Sequence, residues 1–271
     1  MDTPYRTVRT CSLAWCAAGI LGMTLATPAG AAAACVATSG RETVPLVELF
    51  TSEGCDSCPP ADRWLSATFP SVRAVASASV LAFHVDYWDR LGWKDRFATA
   101  AYTERQYAAM RGSGATFVYT PQLLVQGRDA EVGRSNRAAD LVAAARSRPA
   151  RATIALESAI VDDGRASARL QAMVTDPSAR RNAVAWLAYT DSGLVSDVKA
   201  GENRGVRLTH DHVVRTLLGP YPADANGEIV ANASWTRPSE RGRDAAFVAV
   251  VQDAKTGDVL QTLTLPACGG E

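Results

Sequence analysis

Cys55 and Cys58 are the residues whose types and spacing point most directly to chemistry. Two cysteines three positions apart can close a disulfide with each other, and in the first turn of a helix they share one face. The partial positive charge of a helix N-terminus stabilises a thiolate and so lowers the pKa of a nearby thiol. The pair is therefore predicted to exchange disulfides, with Cys55 attacking and Cys58 resolving the mixed disulfide.

Other interpretations of the pair are a structural disulfide or half of a metal site. A zinc site normally needs a second ligand pair, and the sequence holds no second CxxC motif. His210 and His212 would lie on one face of a strand and could form a metal pair, but no third ligand is in view. We therefore predict neither a metal nor a cofactor.

The first 34 residues are predicted to be a signal peptide. Arg6 and Arg9 precede an uncharged stretch whose apolar part, residues 13–26, is followed by small residues. Cleavage would give a periplasmic or secreted protein with no stable membrane anchor. An uncleaved anchor and lipid attachment at Cys35 are the alternatives.

Export would place the cysteines that follow the signal peptide in an oxidising compartment, in which disulfides persist. Four cysteines allow three pairings, and the simplest joins Cys55 to Cys58 and Cys35 to Cys268. In the chain-entropy model the long bridge restrains the unfolded chain by about 5.5 kcal/mol and the short one by about 2 kcal/mol. The long bridge is thus predicted to be structural, and the short one to be kept for chemistry.

The CxxC motif is predicted to lie between a strand and a helix. An apolar run precedes it, and Pro59 and Pro60, which suit a first helical turn, follow it. Further along, the pattern predicts strands at 79–85 and 122–126 and helices at 95–110 and 135–146.

The pattern changes near residue 150, after which short, β-branched and alternating segments dominate. We therefore predict two domains, an α/β domain over residues 43–148 and an all-β antiparallel, sandwich-like domain over residues 151–268.

The strand at 79–85 should run parallel to the first, so that its carboxyl end emerges beside the CxxC motif. This places His84, Asp86, Tyr87, Trp88 and Trp93 near Cys55. The aromatic residues Tyr87, Trp88 and Trp93 are predicted to bind a peptide substrate, or alternatively to cover the first helix.

Residues 43–147 resemble the thioredoxin fold in the order of their elements. The whole chain also resembles a bacterial secreted family defined as a domain of unknown function, number twelve twenty-three. The segments that carry this second resemblance are Glu48–Asp62, Phe83–Asp89 and Tyr119–Gln122. The fold class expected is therefore an α/β thioredoxin-like domain followed by the β domain.

The thioredoxin resemblance implies roles for further residues. Pro121 matches a cis-proline beside the CxxC motif, and Thr120 a residue whose backbone pairs with substrate. Glu48 falls near a buried carboxylate that relays a proton to the resolving thiol, with a purely structural carboxylate as the alternative. Gly54 stands where the fold usually has Trp, and Asp56 disfavours the Cys55 thiolate, which implies a less oxidising couple.

The charge composition argues against one class of binding partner, nucleic acid. The chain of 271 residues has 28 Lys+Arg and 28 Asp+Glu without a basic run, so we expect no nucleic-acid partner. The leading hypothesis is an exported thiol–disulfide oxidoreductase whose partner is a protein thiol or disulfide. The alternative is a non-catalytic redox sensor or a module that binds Cu(I) or another metal through Cys55 and Cys58.

Overall fold

The computed structural model describes residues 34–71, 77–131, 137–160 and 164–267. These residues form fourteen β-strands and three α-helices. The helices are α1 Pro59–Thr68, α2 Ala100–Ser113 and α3 Arg137–Arg146. The strands are β1 Ala34–Thr38, β2 Leu46–Thr51, β3 Ser79–His84, β4 Gln122–Val125, β5 Arg128–Asp129, β6 Ala152–Ile160, β7 Arg165–Val174, β8 Ala183–Ser192, β9 Leu194–Asp197, β10 Arg207–His210, β11 Val213–Pro222, β12 Glu228–Thr236, β13 Asp244–Asp253 and β14 Val259–Pro266.

The predicted signal peptide lies, apart from Ala34, outside the described residues. Among the helices that the structure does describe, none is both long and apolar enough to cross a membrane.

The strands are arranged in three sheets. The largest is a mixed eight-stranded sheet of order β14-β13-β8-β11-β3-β2-β4-β5. In it β3 pairs in parallel with both β2 and β11, and the other neighbours are antiparallel. A four-stranded antiparallel sheet has the order β1-β6-β7-β12, and β9 and β10 form a two-stranded sheet by themselves.

The predicted fold class, an α/β thioredoxin-like domain followed by a separate β sandwich, is wrong. The described chain is mostly β, and its large mixed sheet takes strands from both sides of residue 150. The connection is made by β11, whose Val213 pairs with Ala82 of β3. Hydrophobic periodicity shows which face of a strand is buried, but it does not show which strand lies at each edge.

The two faces of the large sheet near its parallel strands bury different helices. Along β2 the side chains alternate, since successive residues of a strand point to opposite faces. Leu46 and Phe50 pack with Tyr102 of α2 on one face. Val47 and Leu49 pack with α1 and α3 on the other face. Every residue of β2 and β3 is buried, which explains why both strands read as continuous apolar runs.

The four-stranded sheet packs against the other end of the large sheet. Their common core contains Ile154, Leu170, Leu187, Phe247 and Leu260, from β6, β7, β8, β13 and β14. Two antiparallel layers that bury alternate residues give the clear alternation seen along β6 and β7.

Two predicted elements have different bounds in the structure. The helix expected over 95–110 begins at Ala100, because Asp95 lies in a turn where it accepts hydrogen bonds from the amides of Phe97 and Ala98. The single strand expected to carry both His210 and His212 is divided into β10 and β11, and His212 between them has a positive φ of 56°. This break separates the small sheet from the large one.

Candidate functional site

The predicted disulfide between Cys55 and Cys58 is present, with Cα atoms 5.4 Å apart. Cys58 is the N-cap of α1, and its carbonyl accepts hydrogen bonds from the amides of Ala61 and Asp62. Pro59 and Pro60 open the helix, where a missing amide N–H costs no intrahelical bond. The motif therefore lies where the sequence predicts it, between β2 and α1.

A group of buried ionisable residues lies on the face of the large sheet that carries α1; we call it the buried cluster. Its members are Glu53, Asp62, His84, Asp95 and His210, each at most 9% exposed. His84 ends β3 and pairs with Thr51, which ends β2, so the cluster forms at the carboxyl edge of the parallel strands. Glu53 lies two residues before Cys55, and Asp62 lies four after Cys58. The sequence thus places the cluster beside the disulfide.

The members of the buried cluster are joined by short contacts. His84 Nδ1 is 2.6 Å from Asp95 Oδ2, which also accepts the Glu53 amide at 2.9 Å. Glu53 Oε1 is 3.3 Å from His210 Nε2, and the rings of His84 and His210 meet edge to face with centroids 4.9 Å apart. Asp62 interacts electrostatically with both histidines. A change of charge on one member is therefore felt by the others.

The members differ in how firmly they hold protons. Burial raises the pKa of Asp62, and the two histidines only partly oppose this. Burial also acts on Asp95 and Glu53, but the interactions with His84 and His210 prevail and lower the pKa of each. Burial disfavours the His84 cation, yet Asp95 raises the pKa of His84 overall. The cluster thus combines an ion pair with a carboxyl group whose pKa is raised.

Several buried polar atoms of the cluster have no hydrogen-bond partner within the described chain. They include His84 Nε2 and His210 Nδ1, whereas Glu53 Oε1 and His210 Nε2 contact each other at 3.3 Å. Leaving such groups unpaired costs free energy, and folded proteins tend to keep them where they have a role.

The described ranges contain no group of three or more His, Cys, Asp or Glu side chains that could hold a metal ion. His210 and His212 do not share a site either. His212 Nε2 is 2.7 Å from the carbonyl oxygen of Phe69, and burial lowers the pKa of His212. His212 is a packed residue under α1, whereas His210 belongs to the buried cluster.

A distant part of the chain lies over the CxxC motif. Residues 198–206, which we call the covering segment, connect β9 to β10. Asn203 Nδ2 donates to the carbonyl oxygen of Cys55 at 2.8 Å and to that of Glu53 at 2.9 Å. Glu202 Oε2 accepts the amide of Asp56 at 3.2 Å. Both cysteines are 0% exposed.

The structure does not bring Glu48 to the CxxC motif. Glu48 alternates with Val47 and Leu49 and so points to the opposite face of the sheet, toward α2. There Glu48 Oε1 is 2.7 Å from Arg105 Nη2, and both side chains are buried. The Arg105 guanidinium lies 5.3 Å from the Trp186 ring centre, beside a cavity of about 290 Å³. This pairing fits the structural alternative for Glu48.

Of the predicted aromatic residues, Trp88 packs against the CxxC motif and also reaches the proline segment. A Cβ atom on Gly54 would be only 3.1 Å from Trp88 Cβ, so Trp88 packs directly on the residue before Cys55. Trp88 Nε1 donates to Thr120 Oγ1 at 2.7 Å, and the Thr120–Pro121 peptide bond is cis. The predicted residues on these two loops are therefore close together.

Trp93 and Tyr87 have separate polar partners. Trp93 Nε1 donates to Glu53 Oε2 at 2.6 Å, which attaches its ring to the buried cluster. The Tyr87 hydroxyl donates to Gln106 Oε1 of α2 at 3.3 Å. Trp93 is thus attached to the buried cluster, whereas Tyr87 is attached to α2.

Cys35 in β1 is disulfide-bonded. Its predicted partner, Cys268, lies outside the described residues. The Cys35–Cys268 pairing therefore stays a prediction.

Sequence reasoning missed several residues that shape the site, namely Glu53, Asp62, Asp95, His210 and Asn203. Asp62 carries a signal, because a residue four positions after Cys58 in a helix lies on the same face. Asp95 was assigned to a helix, and His210 only to a possible metal pair. Asn203 carries no local signal, since its contact with Glu53 joins residues 150 positions apart.

The fold and site together define a mostly β protein with a large mixed sheet and a buried CxxC disulfide. The description "Protein of unknown function (DUF1223)" matches residues 46–252, which is more than half of the chain. The chain belongs to this family, and the family membership expected from its motifs is confirmed. No curated protein matches the chain.

Two solved structures share the fold. A crystal structure of the protein AGR_C_4864 from Agrobacterium tumefaciens has 24% identity and a TM-score of 0.61, over 86% of this chain and 97% of that one. HBP35 of Porphyromonas gingivalis has 13% identity and a TM-score of 0.61, over 86% of this chain and 77% of that one. At these identities the similarity concerns the fold alone.

Proposed function

We propose that this protein is an exported thiol–disulfide oxidoreductase in which Cys55 and Cys58 exchange a disulfide with a protein partner. The observation that carries the proposal is the closed Cys55–Cys58 disulfide beside a buried cluster of acids and histidines. Disulfide exchange needs both a second thiol within reach and a group that handles its proton. A disulfide kept only for structure needs no such cluster.

The proposed reaction begins when a partner thiolate attacks the Cys55 sulfur. A new bond forms between the partner and Cys55, the Cys55–Cys58 bond breaks, and Cys58 leaves as a thiolate. Cys58 then takes the proton of Asp62, which lies one helical turn further along α1. In the reverse direction Asp62 accepts the Cys58 proton, and Cys58 attacks the mixed disulfide and releases the partner thiolate.

Local charges support a reactive thiolate. Cys58 caps α1, whose N-terminus carries partial positive charge. Such a charge favours a thiolate over a thiol at the motif in the reduced protein.

Location and partner belong to the same proposal. Residues 1–34 would direct export, and the oxidising envelope would then supply protein disulfides as substrates. N-terminal sequencing of protein recovered from the envelope fraction tests this, with a new N-terminus near Cys35 expected. An intact residue 1 would contradict cleavage.

The reduction potential of the Cys55–Cys58 pair tests the function. Mature protein is equilibrated in graded glutathione buffers, and its thiols are counted by mass spectrometry. A reversible couple between about −120 and −270 mV is expected, the range of exchange catalysts. A pair that resists reduction below about −300 mV would mark a structural disulfide and contradict the proposal.

A trapping experiment tests turnover on partners. The Cys58→Ala variant cannot resolve a mixed disulfide and should accumulate covalent complexes with envelope proteins. The matched control is Cys55→Ala with Cys58→Ala, which should trap none. An empty trap for the single variant across growth conditions would contradict exchange.

A non-catalytic redox sensor is the second candidate, favoured by the complete burial of both sulfurs. A sensor would reduce and oxidise reversibly but would not turn over. It would therefore pass the potential measurement and fail the trapping experiment.

A further inference from the structure

Access to the disulfide is closed in this structure. Cys55 and Cys58 are 0% exposed, although Asp56 and Ser57 between them are exposed. Thiol–disulfide exchange requires direct contact between the incoming thiolate and a sulfur atom. The conformation described is therefore not the one that reacts.

The covering segment binds the CxxC motif through hydrogen bonds that the backbone of another polypeptide could make instead. Asn203, itself 6% exposed, donates to the carbonyls of Cys55 and Glu53. Glu202 accepts the amide of Asp56. The motif thus presents a backbone acceptor at Cys55 and a backbone donor at Asp56, and an extended peptide backbone carries the complementary groups.

The covering segment is joined to the rest of the fold by side-chain contacts and not by a sheet ladder. Among the described strands, its flanking strands β9 and β10 pair only with each other. Gly201 and Gly205 have positive φ of 75° and 83°, and Val198 and Val206 close the segment by a 3.0 Å backbone hydrogen bond. The segment can therefore move as a unit without breaking a ladder of either large sheet.

We propose that residues 198–206 occupy the position of an extended polypeptide substrate on the CxxC motif and must be displaced before Cys55 exchanges. This inference rests on the proposed function and adds to it the substrate class and the way access is controlled. Asn203 is a positioning residue in this arrangement, because it acts through the backbone of the motif and touches no reacting atom.

The rate at which dithiothreitol reduces the disulfide of the mature full chain tests the cover. Samples are quenched by alkylation, and thiols are counted by mass spectrometry. Asn203→Ala removes two hydrogen bonds of the cover and should accelerate reduction about tenfold. Glu202→Ala, at an exposed position, should accelerate it by a few fold. Arg204→Ala, at the exposed neighbouring position, is the control and should match the wild type.

If dithiothreitol reduced both Asn203→Ala and Glu202→Ala at the wild-type rate, the proposal that residues 198–206 control access would be wrong. Since Glu202 is exposed, its variant keeps the test valid even if Asn203→Ala fails to fold. A second comparison uses an extended peptide with one cysteine against free cysteine at equal thiolate concentration. The peptide should reduce the wild type about tenfold faster, and equal rates would overturn the assignment to a polypeptide.

The reduction potential separates this inference from the proposed function. Faster reduction of Asn203→Ala together with a potential below about −300 mV would support the cover and contradict exchange. A potential in the exchange range together with unchanged variant rates would support exchange and overturn the cover.

Discussion

At the residue scale, the proposed reaction depends on one disulfide and one buried carboxyl group. Asp62 follows Cys58 by one helical turn, and burial raises the pKa of its carboxyl group. A raised pKa makes this carboxyl group a better match for proton exchange with a thiol, as the proposed reaction requires. His84 and Asp95 complete this environment as an ion pair.

Asp62→Asn should change how stability depends on pH. The folded-state pKa of Asp62 is raised, so its contribution to stability is fully present below the unfolded pKa and is lost as pH rises through the folded pKa. Asparagine does not titrate, so the variant should gain stability relative to the wild type as pH rises above about 4. Urea unfolding at a series of pH values measures this.

The matched control variant is Asp56→Asn, at an exposed neighbouring position. A constant difference between Asp62→Asn and the wild type across that pH series would contradict a raised pKa at Asp62.

Asp95→Asn should lower the pKa of His84. Burial by itself disfavours the imidazolium, and the charge and hydrogen bond of Asp95 reverse this. In the wild type the pair stabilises the fold below the unfolded His pKa, and this stabilisation is lost as pH rises through the higher folded pKa. NMR titration of the His84 ring should therefore give a lower pKa in the variant. Exposed Asp197→Asn is the control, and an unchanged His84 pKa in Asp95→Asn would disprove the coupling.

At the scale of elements, the alternation of side chains along β2 places Glu48 and the CxxC motif on different faces of the sheet. Even-numbered residues face α2 and odd-numbered residues face α1, so Glu48 and the CxxC helix lie on opposite faces of the sheet. The sequence identified Glu48 as a buried carboxylate, which the structure confirms. Its partner, Arg105, could not be predicted, because the contact joins residues 57 positions apart.

Glu48→Gln should destabilise the protein by about 3–5 kcal/mol, because it leaves the buried Arg105 charge unpaired. The double variant Glu48→Leu with Arg105→Leu should lie much closer to the wild type, since it removes both charges. Urea unfolding free energies of the two variants test this. Equal losses in both would show that the ion pair itself contributes little.

At the scale of the whole molecule, the continuous large sheet links the stability of the two parts of the chain. Strand β11 lies between β8 and β3, and so joins the segments before and after residue 150. Neither β3 nor β11 can keep the backbone hydrogen bonds between them if the other part unfolds. The two parts should therefore share their stability.

Thermal unfolding of the mature chain should show one cooperative transition. Calorimetry, far-ultraviolet and near-ultraviolet circular dichroism should then give the same midpoint. Two separate transitions, one for each side of residue 150, would contradict this expectation and favour the predicted domain boundary.

Local features of this protein follow from its sequence alone. The CxxC motif, the prolines that open α1 and the apolar runs of β2 and β3 are properties of neighbouring residues, and each was predicted close to its observed place. Tertiary structure alone decided that β11 pairs with β3, that His210 contacts Glu53, and that Asn203 donates a hydrogen bond to the Cys55 carbonyl. The physical reason is that periodicity records which face of an element is buried, whereas strand pairing over long separations decides which elements meet.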